Sequence, residues 1–175
     1  VITRQAFTNN NPIPVRYTCK GVEFSPPLDI TNIPAGAKSL AIIVDDPDVI
    51  RTVTEQKVCV RKKKGKGNKQ NISPMAKVQV KDGFTHWLIW NIDVKGGKIP
   101  ENFKNDNEGV NGSNDIGYKA ICPPAGTHHY HFKVYALDTK LNIDKKTDKA
   151  CLEKVMQGHI LAWGELVGTF NKDYK

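Results

Sequence analysis

Three stretches of the chain gather apolar and β-branched residues into runs bounded by turn formers, and each predicts a strand: 39–45 (SLAIIVD), 85–92 (THWLIWNI) and 130–137 (YHFKVYAL). The second is apolar at both parities. Strict alternation puts His86, Leu88, Trp90 and Ile92 on one face and Trp87, Ile89 and Asn91 on the other, so this strand is expected to be covered on both sides. Between the runs lie long connections rich in Pro, Gly, Asn and Asp, such as SPPL, DVKGGKIPENF, EGVNGSNDIG and CPPAGTHH. Many turns and little helical periodicity predict a mainly β fold, an antiparallel β-sandwich with a few peripheral helices. One helix is expected where Leu152, Val155, Met156 and His159 recur at i, i+3, i+4 and i+7, with Gly158 and Gly164 marking its end. A last strand is expected over 165–170.

The segment 49–83 breaks this pattern, being long, poor in aromatics and interrupted by the basic run KVCVRKKKGKGNK, which starts at Lys57 and ends at Lys69. Weak alternation at its two ends predicts an insertion folded as a hairpin arm with the lysines at its tip. No linker separates it, so residues 1–175 are expected to form one domain, a size that closes a core without staples.

Composition changes this picture little: 39% hydrophobic and 25% charged residues are ordinary for a globular domain. No apolar run reaches the ~18 residues that span a bilayer, and the opening VITRQAFTNN lacks a secretory pattern, so a cytoplasmic location is expected. The formal charge of +8 is concentrated in the lysine run, which could approach an acidic protein or an anionic membrane. No aromatic residue is interleaved there to stack bases, which argues against nucleic acid. Cys19, Cys59, Cys122 and Cys151 are far apart and form no CxxC pair, so they read as thiols in a reducing compartment, with a Cys19–Cys122 bridge as the alternative.

The polar residues at the strand ends carry the candidate chemistry. Asp45, Asp46 and Asp48 close the first strand around Pro47, where they either cap their own turn or project into a cleft. In CPPAGTHHYHF a stiff turn of Pro123, Pro124 and Gly126 precedes a strand on which His128 and Tyr130 share one face and His129 and His131 the other. Imidazole, phenol and turn amides together suit a small anion. His129 and His131 alternate without a zinc-motif spacing, and the chain lacks GxSxG, P-loop, HExxH and dinucleotide motifs, so no metal, cofactor or catalytic residue is expected. An Asp with a His could still activate water, which keeps a cryptic hydrolase as a further alternative.

Taken in order, SPPL from Ser25, DDPD from Asp45, HWLIWNI from His86, NDIGYKAICPPAG from Asn114, HHYHFKVYALD from His128 and ELVGTF from Glu165 resemble the phosphatidylethanolamine-binding (Raf-kinase-inhibitor-like) family. IPVRYTCKG from Ile13, and the ending after ELVGTF, look more like its prokaryotic-type members. The resemblance implies a Greek-key arrangement of antiparallel sheets and a non-enzymatic pocket for phosphate, acetate or a phospholipid head group. It implies Asp46, Asp48, His86, Pro123, Pro124, Gly126, His128 and Tyr130 as pocket residues, with Asp46 or Asp48 orienting His86. Inhibition of a serine protease or a kinase is the alternative function it implies. Val49 and Ile50 replace the family's Ala-Pro after DPD, and Ala120 and Ile121 replace its Gly-Pro before CPP, which predicts a reshaped rim.

Overall fold

The computed structural model describes residues 2–3, 6–49, 52–53, 80–81 and 83–173. Strands β1 (Ile2–Thr3) and β2 (Asn11–Pro12) precede a 3-10 turn at Val15–Tyr17, followed by β3 (Leu28–Ile30), β4 (Ser39–Asp46), β5 (Thr52–Val53) and β6 (Val80–Lys81). Then come β7 (Phe84–Ile92), β8 (Lys98–Ile99), β9 (Thr127–Leu137), helix α1 (Lys149–Met156) and β10 (Ile160–Asn171). The fold is mainly β, as its residue patterning predicts. A mixed five-stranded sheet has the order β2-β10-β9-β4-β7, with only β2 and β10 parallel. A three-stranded sheet, β1-β3-β8, covers one of its faces.

The expected strands at 39–45, 85–92 and 130–137 are the centre of the large sheet, each a residue or more longer than its apolar run. β4 is buried at all eight positions because β7 and β9 flank it and both faces are covered. On the side of the small sheet, Leu40, Ile42, Val44, Trp87, Ile89, Phe132 and Phe170 pack with Leu28, Ile30 and Ile99. On the other side Ala41, Ile43, Leu88 and Trp90 pack under Leu152 and Met156 of α1. Each such buried aliphatic or aromatic side chain is worth roughly 1.5–3 kcal/mol of transfer free energy.

Strict alternation along β7 does not hold, and two bulges are the reason. Val44 pairs with Trp87 but Asp45 pairs with Thr85, so His86 is the extra residue of a bulge. Leu40 pairs with Ile92 but Ile42 with Ile89, and Asn91, at φ 56°, takes up the second irregularity. The Asn91 amide holds that bend by donating to the Leu141 carbonyl (2.8 Å) and accepting from the Leu141 N–H (2.7 Å). Ile92 thus joins Trp87 and Ile89 in the core under the small sheet, and Leu88 and Trp90 alone face the helix.

The helix ends at Met156, short of His159, whose Nδ1 bonds Asp138 Oδ1 (2.8 Å). Asp148 caps it, accepting from the Cys151 N–H (3.0 Å). Gly158, at φ 80°, turns the chain directly into β10, which therefore begins five residues before the expected 165. Where β2 joins β10, Gly168 has no room for a side chain. A Cβ there would meet Ile13 Cγ1 and lie 2.6 Å from Phe7 Cε2. Gly168→Ala is expected to cost about 1–3 kcal/mol by overpacking, read as a lower urea midpoint with an unchanged slope.

The expectation of free thiols is overturned. Cys19 and Cys122 form a disulfide with their Cα atoms 5.4 Å apart, and Cys151 is disulfide-bonded as well. The cysteines therefore no longer argue for a reducing, cytoplasmic compartment. No helix among the described residues is long and apolar enough to cross a membrane. β5 and β6 pair antiparallel, Thr52 with Lys81 and Val53 with Val80. The lysine run lies outside the described residues.

Candidate functional site

The site forms at one end of the large sheet, where β4 ends beside the starts of β7 and β9. Asp46 ends β4 on the same face as Leu40, Ile42 and Val44 and is 1% exposed. The bulge carries His86 onto that face, where its ring stands edge-on to Tyr130 (centroids 5.3 Å, 77°). His128 and Tyr130, two apart on β9, share the face as their parity predicts, with near-parallel rings 6.5 Å apart. Phe84 closes against His86 at 4.7 Å.

Asp46, His86, His128 and Asp48 each have a particular partner. Asp46 Oδ2 accepts from His128 Nδ1 (2.7 Å), and Asp46 Oδ1 accepts from the Asp48 N–H (2.9 Å), so one carboxylate both orients an imidazole and closes its own turn. Gly83 lets that turn sit close, since a Cβ there would meet the Asp46 carbonyl oxygen and lie 2.8 Å from Pro47 Cα. His86 is oriented by the Lys119 carbonyl (Nδ1 to O, 2.8 Å), not by an aspartate, which corrects the expected role of Asp46 or Asp48 toward it. Asp48 belongs to the opposite face: its Oδ2 accepts from the His129 N–H (2.8 Å) and bonds the His129 ring (2.9 Å). His131 turns to Glu165 (2.8 Å), so His129 and His131 have separate partners.

Burial shifts the titration of His86 and Tyr130. It pushes the His86 ring below the ordinary histidine value, outweighing the opposing pulls of the Lys119 carbonyl and the Asp46 carboxylate. Burial, followed by the nearby Asp46 charge, raises Tyr130 far above the ordinary phenol value, so its hydroxyl stays protonated. For Asp48, burial pushes upward but is outweighed by the His129 hydrogen bonds, and its carboxyl lies below the usual range. The Tyr130 hydroxyl is buried beside the Asp46 carboxylate, and among the described residues it has no partner within hydrogen-bond distance.

The CPP turn leads into β9 just before His128. Pro123 is buried, whereas Pro124 and Gly126 are exposed, and the Pro124 carbonyl accepts from Lys172 Nζ (2.6 Å). Gly126, at φ 61°, faces open space. Ile121, in place of the family's proline, is fully buried in the core, and its carbonyl accepts from the Cys19 N–H (3.0 Å). The disulfide therefore ties this turn to the segment after Tyr17. The Lys119 carbonyl went unforeseen because a backbone group has no signature in sequence. Asp45 faces the helix side, where Lys133 (3.1 Å) and Lys149 (2.7 Å) neutralise it.

The sequence profile described as phosphatidylethanolamine-binding protein matches residues 3–61 and 70–171. The chain belongs to the phosphatidylethanolamine-binding protein family. The residues unmatched in the middle, 62–69, fall inside the lysine run. Among relatives in this family, a UPF0098 protein of Pyrococcus horikoshii is 41% identical over 95% of this chain and 74% of its own. One from Chlamydia muridarum is 37% identical over 98% of this chain and 99% of its own. A solved phosphatidylethanolamine-binding protein homologue from Chlamydia trachomatis superposes with a TM-score of 0.76 at 33% identity, covering 98% of this chain and 97% of that one. YbcL of E. coli, at 22% identity and a TM-score of 0.72, covering 97% and 96%, shares the fold.

Proposed function

We propose that the chain is a non-enzymatic binding protein whose cleft, made by Asp46, His86, His128 and Tyr130, takes the phosphoryl or carboxylate end of a small ligand. The observation that carries this reading is the Tyr130 hydroxyl, buried between two imidazoles beside Asp46 and without a partner at hydrogen-bond distance among the described residues. A buried polar group without a partner costs about 1–3 kcal/mol, and a ligand oxygen accepting from it would recover that cost. The CPP turn, with Gly126 open to solvent, supplies a border for the same ligand.

Tyr130→Phe tests this with two opposed readouts. Affinity for phosphate in titration calorimetry should fall about 10- to 100-fold, the worth of one hydrogen bond to a charged group, while thermal stability is unchanged or rises because the unpaired hydroxyl is gone. A hydroxyl with a purely structural role would lower stability and leave affinity untouched. The Asp46–His128 pair is also what would orient a general base, so a chromogenic ester serves as control, and no turnover is expected.

A further inference from the structure

The two edges of the large sheet differ. Along the outer edge of β7, the Leu88 carbonyl accepts from the Gly109 N–H (2.9 Å) and the Trp90 N–H donates to the Asn107 carbonyl (3.0 Å). The Thr85 and His86 carbonyls accept from Gly112 (2.8 Å) and Lys119 (2.7 Å), so the segment 107–119 closes that edge. At the opposite edge β2 covers only the far part of β10, in register with Gly168 and Thr169. There the Val167 N–H donates to Asn9 Oδ1 (2.8 Å), and the Val167 and Thr169 carbonyls accept from Asn10 (2.7 Å) and Ile13 (2.8 Å). Backbone groups alternate sides along a strand, so those of Trp163 and Glu165 point the same way, beyond the reach of β2. Among the described residues nothing bonds them on that side.

The uncovered stretch is apolar as well. Ile160, Leu161 and Trp163 are 40%, 45% and 62% exposed, three of the five large hydrophobic side chains exposed among the described residues, and they fall within four positions. On the face of the small sheet, Ala162 and Gly164 line a groove shared with Ile33, Pro34, Val134 and Ala136. Edges that face water are ordinarily blunted by lysine, proline, a bulge or an inward charge. The register shift between Ile160 and Ala162 lies at the start of the stretch and leaves 162–166 regular. ILAWGEL has no lysine or proline, and its one charge, Glu165, is held by His131 (2.8 Å).

An occupant of this edge must bring an unpaired strand edge of its own. We propose that it is a second copy of the chain, with β10 pairing antiparallel to β10 about a two-fold axis, so that the two large sheets join and the two Trp163 side chains cover each other. Pairing with the β7 edge is blocked by 107–119, so the contact is the same patch on both copies and closes at two instead of growing into a filament. A two-fold normal to the sheet keeps like faces together. It places both indoles on the face away from the small sheet and the small residues Ala162 and Gly164 side by side in the groove. Trp163 pairs with Tyr135, seven residues along β9 from His128 and so roughly 20 Å away, which leaves the cleft open in the dimer.

Sedimentation equilibrium of the full chain from roughly 1 to 100 µM, the range suited to a small interface, tests this in about 0.3 M salt, which screens the net charge of +8. The expected result is twice the chain mass at the upper end and nothing larger. Trp87 and Trp90 are fully buried, so iodide quenching of tryptophan fluorescence reads Trp163 and should fall several-fold as the dimer forms. Trp163→Lys puts a charge on the edge, and Trp163→Pro removes an N–H that the chain itself does not use, the setting in which an edge strand accepts proline. Both should weaken association at least tenfold with an unchanged far-UV spectrum. Ile116→Lys, at an exposed apolar residue elsewhere, should leave it intact. A dimer that survives Trp163→Lys, or that Ile116→Lys also abolishes, overturns the proposal. So does a single-chain mass throughout: with Trp163 shielded from iodide the edge is covered from within the chain, and with Trp163 quenched it is left to the strand of a different protein.

Discussion

Replacing Cys19 and Cys122 together by serine is expected to lower stability by up to about 4.7 kcal/mol, the chain-entropy value for a loop of roughly 100 residues. The two cysteines are 103 residues apart, so their bond removes a long closure from the folding problem. Cys19 is half-buried and Cys122 exposed, so serine leaves no cavity in the core and the loss isolates the covalent link. For a chain of this length the change corresponds to a Tm lower by roughly 10–20 °C. Serine variants are preferred to a reductant because Cys151 is disulfide-bonded too and reduction would open both links. A thermal melt superimposable on that of the parent would show that the bond does not constrain the unfolded chain. The same variant should weaken phosphate binding, since Cys122 immediately precedes the buried Pro123 that positions the turn beside His128.

Much of this architecture is legible in the sequence because the central strands are long, β4 and β7 apolar at both parities as in strands covered on both faces and β9 alternating. β4, β7 and β9 are recognisable for that reason, and α1 from its spacing. The three-stranded sheet is not, because two-residue strands such as β1 and β8 have no period to detect. The early start of β10 is hidden for a different reason. Ile160, Leu161 and Trp163 look like the end of an apolar helix face, yet they lie exposed on a strand that begins as soon as Gly158 turns the chain.

The site divides along the same physical line. His128 with Tyr130 follows from parity, and Asp46, carried over from the DPD motif, lies on the face of Val44 on β4. The place of His86 does not. An unbroken β7 would put it on the face of Leu88, under the helix, and only the extra residue opposite Val44 and Asp45 swings it toward Tyr130. A bulge costs local pairing and re-aims one side chain, and here the re-aimed side chain completes the cleft. Asp48 shows the converse, since motif order groups it with Asp46 while the turn sends its carboxylate to His129.

Asp46→Asn is expected to strengthen phosphate binding, most of all at high pH, by reversing the polarity of the bond to His128. The Asp48 N–H needs an acceptor at Oδ1, so the new amide is held with its oxygen there and its NH₂ toward His128 Nδ1. An NH₂ only donates, so the His128 ring must accept at Nδ1 and carry its proton on Nε2. One negative charge leaves the site in the same step. A hydrogen bond to a charged group is worth about 1.5–3 kcal/mol, so affinity for the phosphate dianion at pH 8.5 should rise roughly 10- to 100-fold, while affinity at pH 6.5 changes far less. Phosphorus NMR titrations at the two pH values separate this from simple damage, which would weaken binding at both. Chemical shifts of the His128 ring nitrogens report the tautomer directly. An Nε2 that still carries a lone pair in the variant would show that Asp46 does not set the polarity of the cleft.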